Sequence, residues 1–188
     1  MAEKMTNFVA ECRALRGQSD WPAQIAGAMK RLLAAGDLTG ELRSELEPGQ
    51  LAKIYVQSPD LTIYSVWSEG GLRGPPHDHA TDAIIGLVEG VEQYKTYQVD
   101  GEHCVETGLR RVTAPAVAVL GQEAIHAMWN EPGETGLSLH VYGNAHFEAP
   151  DRRMWDPQTY VETAFDHRQQ FKWTKELTAA GQAPIPAI

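Results

Sequence analysis

Between residues 51 and 147 the chain breaks into short runs rich in Val, Ile, Thr and aromatic residues, at 53–57, 61–68, 83–89, 91–99, 105–112, 116–120 and 136–142. Gly, Pro and Asp turns separate them. Runs this short, punctuated this regularly, are strands rather than helices, and many short strands close on themselves to avoid open edges. The pattern predicts a mainly β fold, a double-stranded β-helix or jelly-roll barrel over residues 48–147. Residues 1–47 read as helical. Trp21, Ile25, Met29, Leu32 and Leu33 recur at helical spacing, with Ser19 or Asp20 as cap, Pro22 in the first turn and Gly36 as stop. That helix is expected to pack on the outside of the barrel. Residues 148–188 hold Trp155, Tyr160, Phe165, Phe171 and Trp173 among charges, a segment expected to wrap the barrel or reach a neighbouring subunit, and end in an Ala- and Pro-rich tail. The 188 residues suit one domain with no internal repeat.

Two constellations inside the β-rich region carry chemistry. His77 and His79 are one residue apart behind Gly71 and ahead of Gly90, and His126 follows far downstream with Asn130. On a strand the side chains alternate, so His77 and His79 project to one side and can chelate one ion, with His126 as a third ligand. A His-x-His pair alone is often an accident of surface or core; the glycines and the third histidine raise it above that. The second constellation is Ser138, His140 and Tyr142 in the run 136–143, with Leu137, Leu139 and Val141 on the opposite face. Three polar groups facing inward need partners, and a relay in which Ser138 holds His140 and His140 holds the Tyr142 hydroxyl supplies them. The bland alternative is a satisfied polar network in an ordinary sheet.

The spacing from Gly71 through His77 and His79 to Gly90 resembles the first signature of the cupin superfamily. Of the second signature, His126 and Asn130 survive, with Gly121 off register. The Glu that usually follows the second histidine is replaced here by Ala83 and Ile84. A site of three neutral histidines leaves a divalent ion its full charge and favours an anion such as a thiolate, whereas ligand type alone does not separate iron from zinc. With the Ser-x-His-x-Tyr strand added, residues 50–145 resemble the thiol dioxygenases, the cysteine dioxygenase type I family. The resemblance implies a cupin barrel that holds Fe(II) on His77, His79 and His126 and uses Ser138, His140 and Tyr142 as relay. It also implies oxidation of a small carboxylate-bearing thiol by dioxygen to the sulfinate.

Animal members carry a Cys where this chain has Ile84, and Cys12 and Cys104 do not replace it. No Tyr–Cys thioether is therefore expected, as in the bacterial branch that includes 3-mercaptopropionate dioxygenases. That branch holds the substrate carboxylate with an Arg after the relay Tyr, which points to Arg153 or Arg152. Lys53 stands where cysteine dioxygenases use an Arg. Two other readings of the same residues stay open: a metal-dependent cupin lyase or isomerase with Tyr142 as base, and a non-catalytic cupin that binds a small anion.

Net charge is −9, from 16 Lys and Arg against 25 Asp and Glu, which argues against a nucleic-acid partner. Two distant cysteines, no secretory signal and no apolar span of membrane length point to a reducing cytoplasm and away from a membrane. The expected partners are a small thiol and dioxygen, with a homo-oligomer as a further expectation. His103, His146 and His167 lie in polar surroundings and read as solvated.

Overall fold

The computed structural model describes residues 2–182. Seven strands pair antiparallel into one continuous sheet: β1 (Ala52–Ser58), β2 (Leu61–Ser68), β3 (Ala83–Asp100), β4 (His103–Thr113), β5 (Ala116–Leu120), β6 (Ile125–Met128) and β7 (Gly136–Tyr142). The order is β1-β2-β7-β3-β4, with β5 and β6 also paired to β3. This mainly β arrangement, with helices at both ends of the chain, is the expected double-stranded β-helix.

The runs expected at 83–89 and 91–99 form one strand of 18 residues. Gly90 joins them. Its φ is +83°, and a Cβ there would lie 1.9 Å from the Thr135 carbonyl oxygen, so no side chain fits at this bend. Just before it, the register with β7 slips between Leu87 and Glu89. The first half of β3 pairs with β5 and β7, the second half with β4 and β6. One strand thus serves both walls of the barrel. The sequence pattern misses β6 because it is four residues long and contains one β-branched side chain.

Every residue of β7 is buried. Leu137, Leu139 and Val141 face the N-terminal helices and share a core with Met5, Phe8, Ile25, Met29 and Leu42. Those helices are α1 (Glu3–Leu15), α2 (Trp21–Ala34) and α3 (Leu38–Ser44). The opposite face of β7 lines the barrel interior, which is why a strand that reads as alternating is buried on both sides. Asp20 occupies the cap position of α2, but its side chain does not cap; Oδ1 accepts instead from Gln24 Nε2 at 2.7 Å. Gly36, at φ +97°, follows the helix as the expected stop.

Beyond Pro150 the chain forms a hairpin of β8 (Arg153–Trp155) and β9 (Glu162–Ala164), then α4 (His167–Gln182). The Asp78 amide donates to the Arg153 carbonyl at 3.0 Å, the Trp155 amide to Pro76 at 2.9 Å and the Cys104 amide to Tyr160 at 3.0 Å. The segment therefore wraps the barrel, anchored by the fully buried Trp155. The expected Ala- and Pro-rich tail at 183–188 lies outside the described residues. Among the described residues no helix is long and apolar enough to cross a membrane.

Candidate metal centre

Within the barrel, ring nitrogens of His77, His79 and His126 lie within 4.8 Å of one another, the one such group of three or more ligating side chains among the described residues. His79 Nε2 and His126 Nε2 are 3.1 Å apart. Two nitrogens that share one ion at ~2.1 Å, with an angle between ~90° and ~110°, stand ~3.0 to 3.4 Å from each other, so this pair fits a common ion. His77 and His79 are not on a regular strand, contrary to the expectation. Pro75 and Pro76 precede them and have no N–H for a ladder, and His77 makes isolated bridges to His126 and Met154 instead. The His77 Nδ1 lies 3.1 Å from the Pro75 carbonyl, which fixes that nitrogen as donor and leaves Nε2 as the ligand atom.

Burial, and then the neighbouring His126, push His77 and His79 well below the ordinary histidine range. Burial, followed by Arg152, brings His126 down to about 4. All three are therefore neutral imidazoles at pH 7, the form that ligates a metal. Among the described residues no carboxylate joins them. Ala83 stands opposite Tyr142 and Ile84 lies in the helix-facing core, so the positions after His79 bring no ligand.

The three polar residues of β7 form a hydrogen-bonded line. Ser138 Oγ is 2.8 Å from His140 Nε2, and His140 Nδ1 is 2.9 Å from the Tyr142 hydroxyl. Tyr142 continues to the Tyr64 hydroxyl at 3.3 Å and lies edge-on to the His79 ring, with centroids 5.0 Å apart. The line thus ends beside a candidate metal ligand. Burial and the nearby His126 hold His140 down at about 3, while burial and the adjacent Tyr64 push Tyr142 well above the phenol range. A neutral imidazole between two hydroxyls donates through one nitrogen and accepts through the other, so the line carries a direction.

Sequence reasoning missed the group at its inner end. Glu92 is fully buried, and its carboxyl is hydrogen-bonded by Ser68 at 2.8 Å and by Tyr94. Burial pushes this carboxyl up against the pull of those bonds. Gly136 was the available signal: a Cβ there would meet Glu92 Cγ at 2.6 Å, so the glycine makes room for the acid. Asn130 supports the same end, accepting from the Gln93 amide at 2.9 Å and donating to Ser68 at 3.4 Å.

The three candidate anchors separate clearly. Lys53 is paired with Ser65 on the helix-covered face of the sheet, and its ammonium donates to the Glu45 carbonyl at 3.3 Å, so it does not reach the site. Arg153 is drawn off by carboxylates: its Nε lies 2.7 Å from Asp78, with Glu162 at 3.4 Å and Glu123 at 3.6 Å. Its amide also donates to Asp78 at 2.8 Å, so Arg153 pins the loop between the two histidines. Arg152 is buried at 2 % exposure without an ion pair among the described residues. It donates to the carbonyls of His146 (3.1 Å) and Asp78 (3.3 Å) and lies over the Phe165 ring at 3.6 Å, while Nη2 has no partner among the described residues. Its charge acts on His77, His79, His126 and Tyr142.

His146, expected to be solvated, is buried instead. Its ring stacks on Tyr142 with centroids 3.7 Å apart because the chain turns inward after β7, and its amide donates to Thr62 at 3.0 Å. His103 and His167 are exposed.

No protein-family model matches the chain, and no curated protein matches it in sequence. Solved structures do. The DMSP lyase DddQ from Ruegeria pomeroyi DSS-3 is 17% identical with a TM-score of 0.43, over 58% of this chain and 54% of that one. A conserved protein with a double-stranded β-helix domain from Klebsiella pneumoniae is 13% identical at a TM-score of 0.42, over 66% and 94%. KdgF from Halomonas sp. is 27% identical at a TM-score of 0.36, over 52% and 83%. The match thus spans about half the length of the Ruegeria lyase.

Proposed function

We propose that the chain is a non-haem Fe(II) thiol dioxygenase that oxidises a small carboxylate-bearing thiol to its sulfinate. The observation that carries this reading is the pairing of three neutral histidines with a Ser138–His140–Tyr142 line that ends beside them. Iron held by His77, His79 and His126 would supply adjacent positions for thiolate and dioxygen, so that R–S⁻ and O2 combine to R–SO2⁻ with both oxygens on sulfur.

The remaining work falls to the chain. The ligand set contributes no negative charge, and Arg152 adds a positive one close by, so a substrate with both a thiolate and a carboxylate matches the field. Arg152, through Nη2, is the carboxylate anchor in this reading, replacing Arg153 and Lys53. Tyr142 keeps its proton because burial opposes the phenolate, and offers it at Oη toward the reacting ligand or accepts from Tyr64. His140 and Ser138 orient that hydroxyl. A lyase or isomerase would need Tyr142 as a base, and a phenol pushed well above its ordinary range suits a donor better.

The test is oxygen uptake by the iron-loaded protein across 3-mercaptopropionate, cysteine and mercaptosuccinate, with the product identified by mass. Sulfinate formed with one O2 consumed per thiol is expected. Turnover without oxygen would move the protein to the lyase class. Binding of these acids without turnover would make it an anion-binding barrel.

A further inference from the structure

The barrel interior contains a cavity of about 570 Å³, lined mainly by apolar side chains together with Tyr94, Thr96, Tyr97 and Arg110, that reaches His126. Strand register explains it. Ala116, Ala118 and Leu120 of β5 stand opposite Leu87, Ile85 and Ala83, which in turn stand opposite Ser138, His140 and Tyr142. Cross-strand partners share a face, so all of these point into the lumen. A small barrel is normally filled by its inward side chains. Here two inward positions of β5 are alanine, and Ala118 stays exposed into the cavity although it faces inward. On the far wall Gly108 stands opposite Thr96, itself opposite His126, and adds no side chain.

A three-carbon thiol acid leaves most of such a space unused, because clefts of ~300–1,000 Å³ are the size that buries drug-sized ligands. We infer that the lumen receives an apolar body: the ligand is an amphipathic acid whose alkyl or aromatic part lies among Ile85, Leu87, Ala116 and Ala118 while its polar end faces the histidines. The polar end rests on the proposed dioxygenase reading; the apolar part rests on the cavity alone.

Isothermal titration of the iron-loaded protein under anaerobic conditions with butyrate, hexanoate and octanoate tests this. Affinity should rise roughly four-fold per added methylene, the factor that burying one CH2 gives. Ala118→Phe should abolish that gain and leave butyrate binding in place, and Ala116→Leu, a smaller change, should reduce it should the first variant fail to fold. An affinity that is flat with chain length, or a gain untouched by both variants, would overturn the inference. So would sedimentation showing a dimer that the same two variants dissociate, since the cavity would then be a subunit contact. Oxygen uptake with 3-mercaptopropionate on the same preparation separates the two readings. Uptake with a flat series overturns the apolar ligand alone, and a rising series without uptake on any thiol overturns the dioxygenase alone.

Discussion

At the residue scale the decisive groups are Tyr142 and Arg152, because neither is itself a candidate metal ligand. Tyr142→Phe deletes one hydroxyl and leaves the stacking on His146 in place. Turnover should fall by ~10²-fold or more, the range for a positioned proton donor, with the iron content unchanged. Loss of iron in that variant would make Tyr142 structural. Arg152→Ala should raise KM for carboxylate thiols far more than for cysteamine, whereas equal effects on both would reject the anchor. Arg153→Ala should act differently, since Arg153 holds Asp78 between His77 and His79: it should weaken iron retention with similar KM values for both kinds of thiol. Part of this site was legible from spacing, because Ser-x-His-x-Tyr carries its geometry in the alternation of a strand, whereas His77 and His79 meet on a loop and not on the regular strand that alternation assumes. Glu92, Tyr64, His146 and the choice among the three cations were not, because they depend on which segments meet in space.

At the element scale two contacts position the site. The first seats α2 on β3, where Gly86 faces Met29; a Cβ at Gly86 would lie 2.7 Å from Met29 Sδ. Gly86→Val should therefore destabilise the fold by about 1–3 kcal/mol through overpacking, read as a lower unfolding midpoint in urea at unchanged m. The second is the C-terminal hairpin, whose β8 hydrogen-bonds the loop that carries His77 and His79. Trp155→Ala should cost about 3–5 kcal/mol and also loosen iron binding, because the buried Trp155 holds β8 in place. Elements with strong local patterns were readable: α2 from its apolar spacing, and most strands from their β-branched runs. The hairpin was not, because Trp155 and Tyr160 among charges carry no period, and the union of the two halves of β3 was hidden by Gly90, which reads as a break and acts as a bend.

For the whole molecule, the buried histidines tie stability to pH. His126 titrates at about 4 when folded against an ordinary 6.5, with burial as the main cause. His77, His79 and His140 are lowered in the same sense. The unfolded chain takes up protons below 6.5 that the folded chain does not, so stability is full above 6.5 and is lost as pH falls from 6.5 toward 4. The metal-free protein should accordingly show a melting temperature that drops over this window. A melting temperature flat from pH 7 to about 4.5 would place these imidazoles in contact with water. The proposed dioxygenase reading of the barrel, the neutral histidines and the relay is tested most directly by oxygen uptake of the iron-loaded protein with 3-mercaptopropionate. One O2 consumed per thiol and a product heavier by both oxygen atoms when 18O2 is supplied are expected; thiol turnover with no oxygen consumed, or a product that takes its oxygen from water, would rule the dioxygenase out.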